Sequence, residues 1–200
     1  MKLRGLYAIT PEAADADALL RQVSAALEGG IALLQYRRKK HAGTQEAATL
    51  AALCRRSGVP FIVNDDIGLA LACGADGVHL GRDDGDLAAI RSKLKGKLLG
   101  ASCYNSLDAA RAAVTAGADY IAFGSVFASP TKPSAVRAPL SLFGAARALG
   151  VPMVAIGGIT LENAPQLLGA GADALAVVSD LFDAPDIAER ARAYGKLFPI

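Results

Sequence analysis

The sequence has little net charge and no long apolar run, and each shortage excludes a class of protein. Its 21 Lys and Arg residues face 19 Asp and Glu residues, a formal net charge of +2 at pH 7. So small an excess argues against general binding to nucleic acid or to a membrane surface. No stretch approaches the roughly 18 apolar residues of a membrane span, and the N-terminal segment lacks the apolar region of a signal peptide. We therefore expect a soluble, cytoplasmic protein.

Cysteine is also scarce, with three residues at positions 54, 73 and 103. An odd number without C-x-x-C spacing fits neither a disulfide framework nor a zinc site, and it suggests a reducing compartment. Hydrophobic residues make up 52% of the chain and charged residues 20%, which is too apolar for a disordered protein. The 200 residues are enough for one domain with a full core.

Short apolar runs alternate with longer Ala- and Leu-rich amphipathic runs along the whole chain. The short runs are nearly continuous in apolar residues, which is typical of parallel strands covered on both faces. We predict strands at 6–9, 31–36, 61–63, 77–80, 98–102, 120–123, 153–156 and 174–178. We predict helices at 15–28, 44–57, 67–73, 87–93, 107–116, 140–149, 161–168 and 185–196.

Eight strand–helix units in series, without a linker, predict a single (β/α)8 TIM barrel domain over residues 1–200. A recurring Gly-Ala-Asp, beginning at Gly74, Gly117 and Gly171, is expected to end a helix before a strand, because glycine suits the left-handed residue there. A doubly wound open sheet is the alternative fold. It is disfavoured because no G-x-G-x-x-G follows the first strand.

Polar residues follow the predicted strands at the end where barrel enzymes carry their chemistry. The cations Arg37, Lys39 and Lys132 would meet the carboxylates Asp65 and Asp84 there. Mg²⁺ takes one or two carboxylates together with substrate phosphates, so this group predicts an Mg²⁺–polyphosphate site. A solvated charge run with helix-capping aspartates is the alternative for any one motif. Recurrence of such residues at successive strand ends favours the site.

A second phosphate site is predicted at strands seven and eight, where Gly157-Gly158 and Val178-Ser179 resemble a barrel phosphate cup. Two facing phosphate ligands suggest a condensation that expels phosphate or pyrophosphate. A single-substrate isomerase or aldolase is the rival. The predicted strands contain no lysine for the Schiff base that an aldolase of this type needs.

Together these motifs resemble the thiamine-phosphate synthase family over essentially the whole chain. The segments concerned are Gln35-Tyr-Arg37-Arg-Lys39, Asn64-Asp65-Asp66, 75–81 followed by Asp84, 124–132, 155–159 and 177–179. The resemblance implies a transferase that joins a hydroxymethylpyrimidine diphosphate to a thiazole phosphate, carboxylated or not. The products would be thiamine phosphate and pyrophosphate, with Mg²⁺ as cofactor.

The same resemblance implies a role for each site residue. The pyrimidine diphosphate would be bound by Gln35, Tyr36, Arg37, Arg38, Lys39, Asn64, Ser102 and Lys132. Of these, Arg37, Lys39 and Lys132 would act on the leaving diphosphate, and Asp65 and Asp84 would hold Mg²⁺. The thiazole phosphate would be bound by Ser129, Pro130, Thr131, Gly158, Val178 and Ser179.

The chain departs from the family pattern at Arg82, Ser125 and Ser129, none of which removes a charge that the reaction needs. A thiazole tautomerase or a pure binding protein remains an alternative, disfavoured by the complete diphosphate site. We expect small-molecule substrates and neither nucleic acid nor membrane as partner. A homo-oligomer is left open. His79 is expected to be a hydrogen-bonded structural histidine, and Tyr7 either stacks on the pyrimidine or fills the barrel.

Overall fold

The computed structural model describes residues 3–12, 15–38, 43–128 and 136–198. Within these residues, eight parallel strands close into a barrel in chain order, each paired with its neighbours and β8 paired with β1. Helices lie between the strands. The predicted (β/α)8 barrel is therefore confirmed.

The strands are short, as the predicted runs are. They are β1 (Gly5–Ile9), β2 (Leu33–Tyr36), β3 (Phe61–Asn64), β4 (Gly77–Leu80), β5 (Leu98–Tyr104), β6 (Tyr120–Gly124), β7 (Met153–Ile156) and β8 (Ala174–Val177). The helices are α1 (Ala16–Glu28), α2 (Thr44–Arg56), α3 (Ile67–Ala72), α4 (Leu87–Lys93), α5 (Leu107–Thr115), α6 (Ser141–Ala146), α7 (Ala164–Ala170), α8 (Ser179–Phe182) and α9 (Ile187–Gly195). No helix in the described ranges is both long and apolar enough to cross a bilayer.

Two predicted helices differ from the structure by several residues, and one short helix was not predicted. The helix predicted at 140–149 becomes 3₁₀ over Arg147–Leu149. The helix predicted from 161 begins at Ala164, because Thr160 and Asn163 bond to each other's backbone N–H groups and form a turn first. The four-residue α8 was not predicted as a separate element, since it is too short to show a helical period.

The hydrophobic core has two layers, because successive side chains on a strand point to opposite faces. One layer fills the barrel and includes Tyr7, Leu33, Ile62, Tyr120 and Val154. The larger layer lies between the barrel and its helices. On β5, for example, Leu98 packs with the inner layer while Leu99 and Cys103 belong to the outer one.

The Gly-Ala-Asp motif ends a helix at three points, as predicted, with its glycine in the left-handed region: Gly74 at φ 70°, Gly117 at φ 89° and Gly171 at φ 108°. The aspartate of each motif accepts a bond from an N–H at the start of the preceding strand: Asp76 from Phe61, Asp119 from Leu99 and Asp173 from Met153. These bonds fix where each strand starts. Because all eight strands are parallel, their carboxyl ends meet at the opposite rim.

Candidate active site

Three predicted site residues lie on the strands β2, β3 and β5, in the carboxyl-terminal half of the barrel: Gln35, Asn64 and Ser102. His79 lies among them on β4. The strand register pairs Asn64 directly with His79. Gln35 is paired with Ile9 at the end of β1. The structure thus brings Gln35, Asn64 and Ser102 into one part of the barrel.

Gln35 and Ser102 are the two ends of a hydrogen-bonded series that crosses the barrel. The Gln35 amide nitrogen lies 2.6 Å from the Tyr7 hydroxyl, and that hydroxyl lies 2.9 Å from the Tyr120 hydroxyl. His79 continues the series, with Nδ1 3.1 Å from Tyr120 and Nε2 2.9 Å from the Ser102 hydroxyl. His79 is hydrogen-bonded as expected, and Tyr7 fills the barrel, buried and bonded.

Sequence reasoning missed Tyr120 and this series. The only available signal was tyrosine at inward-facing positions of β1 and β6. The Tyr7 and Tyr120 rings meet edge to face, 6.0 Å apart, and His79 stacks on Tyr120 at 5.5 Å. Burial lowers the pKa of His79 to about 4, against a smaller opposing effect of Asp84, so the imidazole is neutral at pH 7.

Arg37 is held where β1 and β2 end. Its backbone N–H donates to the Thr10 hydroxyl at 2.9 Å, and that hydroxyl donates to the Arg37 carbonyl oxygen at 3.3 Å. The Arg37 guanidinium forms an ion pair with Glu12 at 3.1 Å and remains about one quarter exposed. A partly exposed guanidinium at this rim is available to an anionic ligand.

The side chains of Tyr36 and Arg38 lie on the other face of β2 and are not brought together with the rest. Tyr36 packs beside Phe61 in the outer layer, and its hydroxyl donates to Glu46 of α2 at 2.6 Å. Arg38 donates through Nε and Nη2 to the two oxygens of Glu46, each at 3.0 Å. Burial, reinforced by Glu46, raises the pKa of Tyr36 to about 12. The geometry gives both side chains a place in packing between β2 and α2.

The two predicted metal ligands follow neighbouring strands. Asp65 comes directly after β3 with a left-handed φ of 62°, and its N–H donates to the His79 carbonyl oxygen at 2.9 Å. Asp84 follows β4, and its Oδ2 accepts from the Gly81 N–H at 2.6 Å. Asp66, by contrast, caps α3.

Within the described residues, no cluster of three or more His, Cys, Asp or Glu side chains could hold a metal alone. Two carboxylates do suit Mg²⁺, which commonly takes the remaining ligands from water and substrate phosphates. The donor types of Asp65 and Asp84 therefore fit a magnesium ion that binds together with a diphosphate.

The second predicted sub-site lies at the ends of β7 and β8. Gly158 has a left-handed φ of 64°, and a Cβ there would collide with the Ala128 carbonyl oxygen. Glycine thus lets the segment after β6 approach the end of β7. Beside it, Val178 is half-buried and precedes α8, whose first residue Ser179 is exposed.

Helix α8 is held in place by side-chain hydrogen bonds from α9. The Asp180 carboxylate accepts two hydrogen bonds from Arg190, at 2.9 and 2.8 Å, and one from the Tyr194 hydroxyl at 2.7 Å. This cluster was not singled out in the sequence. It holds the residue next to Ser179, so it sets the position of this part of the rim. The remaining predicted site residues, Lys39, Ser129, Pro130, Thr131 and Lys132, lie outside the described residues.

Known proteins resemble this chain over nearly its full length. Residues 6–181 match a family model described as thiamine monophosphate synthase. Thiamine-phosphate synthase of Aromatoleum aromaticum is 59% identical over 98% of this chain and 97% of its own. The corresponding protein of Thiobacillus denitrificans is 57% identical over 97% and 94%.

A solved structure agrees with this result. Thiamine phosphate pyrophosphorylase from Pyrococcus furiosus superposes with a TM-score of 0.84 at 34% identity, covering 98% of this chain and 96% of its own. The motifs, the barrel and these relatives lead to the same assignment. The chain belongs to the thiamine-phosphate synthase family, whose members are transferases.

Proposed function

We propose that the protein joins 4-amino-2-methyl-5-hydroxymethylpyrimidine diphosphate to a thiazole phosphate, carboxylated or not, and releases thiamine phosphate and pyrophosphate. One observation carries the proposal. Arg37, Asp65 and Asp84 follow β2, β3 and β4 at the same rim of the barrel as Gly158 and Ser179, which follow β7 and β8. The residues that we propose for the diphosphate and for the second phosphate therefore share one rim, as a two-substrate reaction requires.

The pyrimidine diphosphate is assigned to β2–β5. The Arg37 guanidinium, partly neutralised by Glu12, is available for phosphate oxygens. Gln35, Asn64 and Ser102 supply neutral polar groups for the ring, lower in the barrel. Lys39 and Lys132 are proposed from the sequence as further cations on the diphosphate. Tyr36 and Arg38 keep only their backbone at this strand end, since their side chains contact Glu46.

Asp65 and Asp84 would hold Mg²⁺, which would neutralise charge on the diphosphate. Asp84 Oδ2 is engaged by the Gly81 N–H, which fixes the carboxylate in place. No third protein carboxylate is needed, because water and substrate oxygens complete the shell that Mg²⁺ prefers.

The proposed chemistry is a dissociative substitution. The bond between the pyrimidine methylene carbon and the diphosphate oxygen breaks, and its electron pair leaves with pyrophosphate. The ring amino group stabilises the cation, and the thiazole nitrogen then supplies the electron pair of the new C–N bond. The protein's work is to hold both substrates in line and to stabilise the departing charge.

This chemistry needs no protein nucleophile, and the cysteines fit that expectation. Cys54 and Cys103 are fully buried in the outer layer, and burial raises the pKa of each to about 12. Thiols so protonated and so far from solvent are poor nucleophiles.

The thiazole phosphate is assigned to Gly158, Val178 and Ser179, with Ser129, Pro130 and Thr131 proposed from the sequence. The exposed Ser179 hydroxyl and the backbone around Gly158 are suited to phosphate oxygens. The Asp180–Arg190–Tyr194 cluster keeps this side of the rim in place.

Titration calorimetry with each substrate separately tests the proposal, with Mg²⁺ present. We expect Arg37→Met to weaken only the pyrimidine diphosphate, and Ser179→Trp only the thiazole phosphate. Ser92→Trp, at an exposed serine of α4, is the matched control and should change neither. Equal loss of both ligands contradicts two sub-sites. A wild-type protein that binds the thiazole phosphate alone contradicts the synthase and favours a tautomerase.

A further inference from the structure

Five polar side chains form a continuous series through the interior of the barrel, where packing alone would need none. In order they are Gln35, Tyr7, Tyr120, His79 and Ser102, and the four contacts that join them measure 2.6, 2.9, 3.1 and 2.9 Å. They come from five strands, so the series crosses the barrel from β2 to β5. We call it the interior series.

The interior series places two hydroxyl groups in a buried environment. Tyr7 and Tyr120 are at most 1% exposed, and a buried hydroxyl must be hydrogen-bonded to offset its lost hydration, a requirement that phenylalanine in the same place would not have. Strand β5 also omits a side chain to make room. A Cβ at Gly100 would collide with the Tyr120 ring and with Nδ1 of His79. The arrangement is therefore a built feature, with a residue of the proposed pyrimidine site at each end.

The direction of the hydrogen bonds follows from counting protons. The Gln35 amide nitrogen can only donate, so the Tyr7 hydroxyl accepts that bond. Among the described residues, Tyr120 is the other partner of the Tyr7 hydroxyl, and we assign the Tyr7 proton to it. Tyr120 must then donate to Nδ1 of His79. Because Nδ1 accepts this bond it bears no proton, so the ring carries its proton on Nε2 and donates it to the Ser102 oxygen.

Each end of the interior series keeps one hydrogen-bonding group for a ligand, a donor at Ser102 and an acceptor at Gln35. The Ser102 oxygen already accepts from His79, so its own proton is free to be donated to a ligand. At the other end, no donor among the described residues is bonded to Oε1 of Gln35, which therefore remains an acceptor. An aminopyrimidine offers both complements, an amino N–H donor and ring nitrogen acceptors.

We propose that Tyr7, Tyr120 and His79 are positioning residues that fix Gln35 as an acceptor and Ser102 as a donor toward the aminopyrimidine. This inference rests on the proposed function, because it takes Gln35 and Ser102 as ligands of the pyrimidine ring. The three residues act through these ends and touch no substrate. Their effect is confined to the ring, since the diphosphate lies against Arg37 and the carboxylates.

Nitrogen-15 NMR of the histidine rings tests the direction of the series in the intact protein. The chain has two histidines, and His41→Gln identifies the other signal. We expect the His79 ring to be neutral with its proton on Nε2 at pH 7. A proton on Nδ1 would reverse the bonds that join Tyr7, Tyr120, His79 and Ser102, and it would overturn the assignment.

Kinetics and binding of Tyr120→Phe test the positioning role. We expect kcat/KM for the pyrimidine diphosphate to fall about tenfold, as for one misdirected hydrogen bond. Affinity for inorganic pyrophosphate with Mg²⁺ should stay unchanged. Because part of the effect of Tyr120 reaches the substrate through His79 and Ser102, Tyr120→Phe should cause a smaller loss in the Ser102→Ala variant than in the wild type.

Tyr7→Phe provides a second variant should Tyr120→Phe fold poorly. Phe143→Leu, at a buried ring of the outer layer, is the control for a general loss of stability and should leave both ligands unaffected. An active wild type with a silent Tyr7→Phe or Tyr120→Phe overturns the inference alone, as does equal loss of pyrophosphate binding. A wild type that catalyses no condensation overturns the proposed function instead.

Discussion

Replacing Gly158 with alanine should damage the thiazole phosphate sub-site by a mechanism that the structure lets us isolate. Gly158 has φ 64°, and a side chain in this region costs about 1–2 kcal/mol. Its Cβ would also meet the Ala128 carbonyl oxygen, and such overpacking costs about 1–3 kcal/mol more. The free energy of unfolding should therefore fall by about 2–5 kcal/mol.

Gly150 offers a matched control, because it has nearly the same backbone and no neighbour. Its φ is 72°, and a Cβ there would meet nothing within 4 Å. Gly150→Ala should lose only the backbone part, about 1–2 kcal/mol, with normal kinetics. At this chain length, each 1 kcal/mol lowers Tm by about 2–4 °C.

Thermal unfolding and steady-state kinetics of the two variants test this prediction. The collision pushes the segment after β6 away from the end of β7, so Gly158→Ala should raise KM for the thiazole phosphate more than for the pyrimidine diphosphate. If Gly158→Ala and Gly150→Ala show the same kinetics, the close approach at Gly158 does not shape the sub-site.

Three further predictions concern other parts of the site. In Asp84→Asn, the amide oxygen can still accept the hydrogen bond from the Gly81 N–H, but the negative charge is lost, so half-maximal activity should need about tenfold more Mg²⁺. An unchanged magnesium titration would exclude Asp84 as a ligand. Tyr194→Phe should cost about 1 kcal/mol in urea unfolding and raise KM for the thiazole phosphate alone; a raised KM for both substrates contradicts this. The pKa of His79 is about 4 in the folded protein and 6.5 in the unfolded chain, so the unfolded chain binds the extra proton and stability falls as the pH drops through this window. From pH 7 to pH 5, the free energy of unfolding of the wild type should therefore fall by about 2 kcal/mol more than that of His79→Gln. Equal losses in the two proteins would show that His79 is not buried in its neutral form.

The sequence alone predicts the barrel well, because its signals are local. Nearly continuous apolar runs mark parallel strands, and the glycine of each Gly-Ala-Asp occupies the left-handed position that ends a helix. The predicted start of a helix is wrong where side-chain hydrogen bonds to the backbone form a turn first. Thr160 and Asn163 form a turn that delays α7, although the apolar pattern already continues through Leu161.

The sequence did not predict where the side chains of Tyr36 and Arg38 lie. Alternation along β2 could have separated Gln35 and Arg37 from Tyr36 and Arg38, but the family motif places all four in one segment. Only the structure shows Glu46 receiving Tyr36 and Arg38.

The interior series could not be predicted from the sequence for a different reason. Tyr7 and Tyr120 lie 113 positions apart and meet only because the barrel closes. The anchor of α8 is likewise a contact between elements, since Asp180 meets Arg190 and Tyr194 of α9. Neither contact leaves a periodic pattern that the sequence could show.

The proposed activity can be measured as the condensation itself. Purified protein is incubated with the pyrimidine diphosphate, the thiazole phosphate and Mg²⁺, and pyrophosphate and thiamine phosphate are both quantified. We expect one pyrophosphate for each thiamine phosphate, and neither product when either substrate or Mg²⁺ is omitted. Pyrophosphate release without the thiazole phosphate at the full rate, or no thiamine phosphate in the complete mixture, would contradict it.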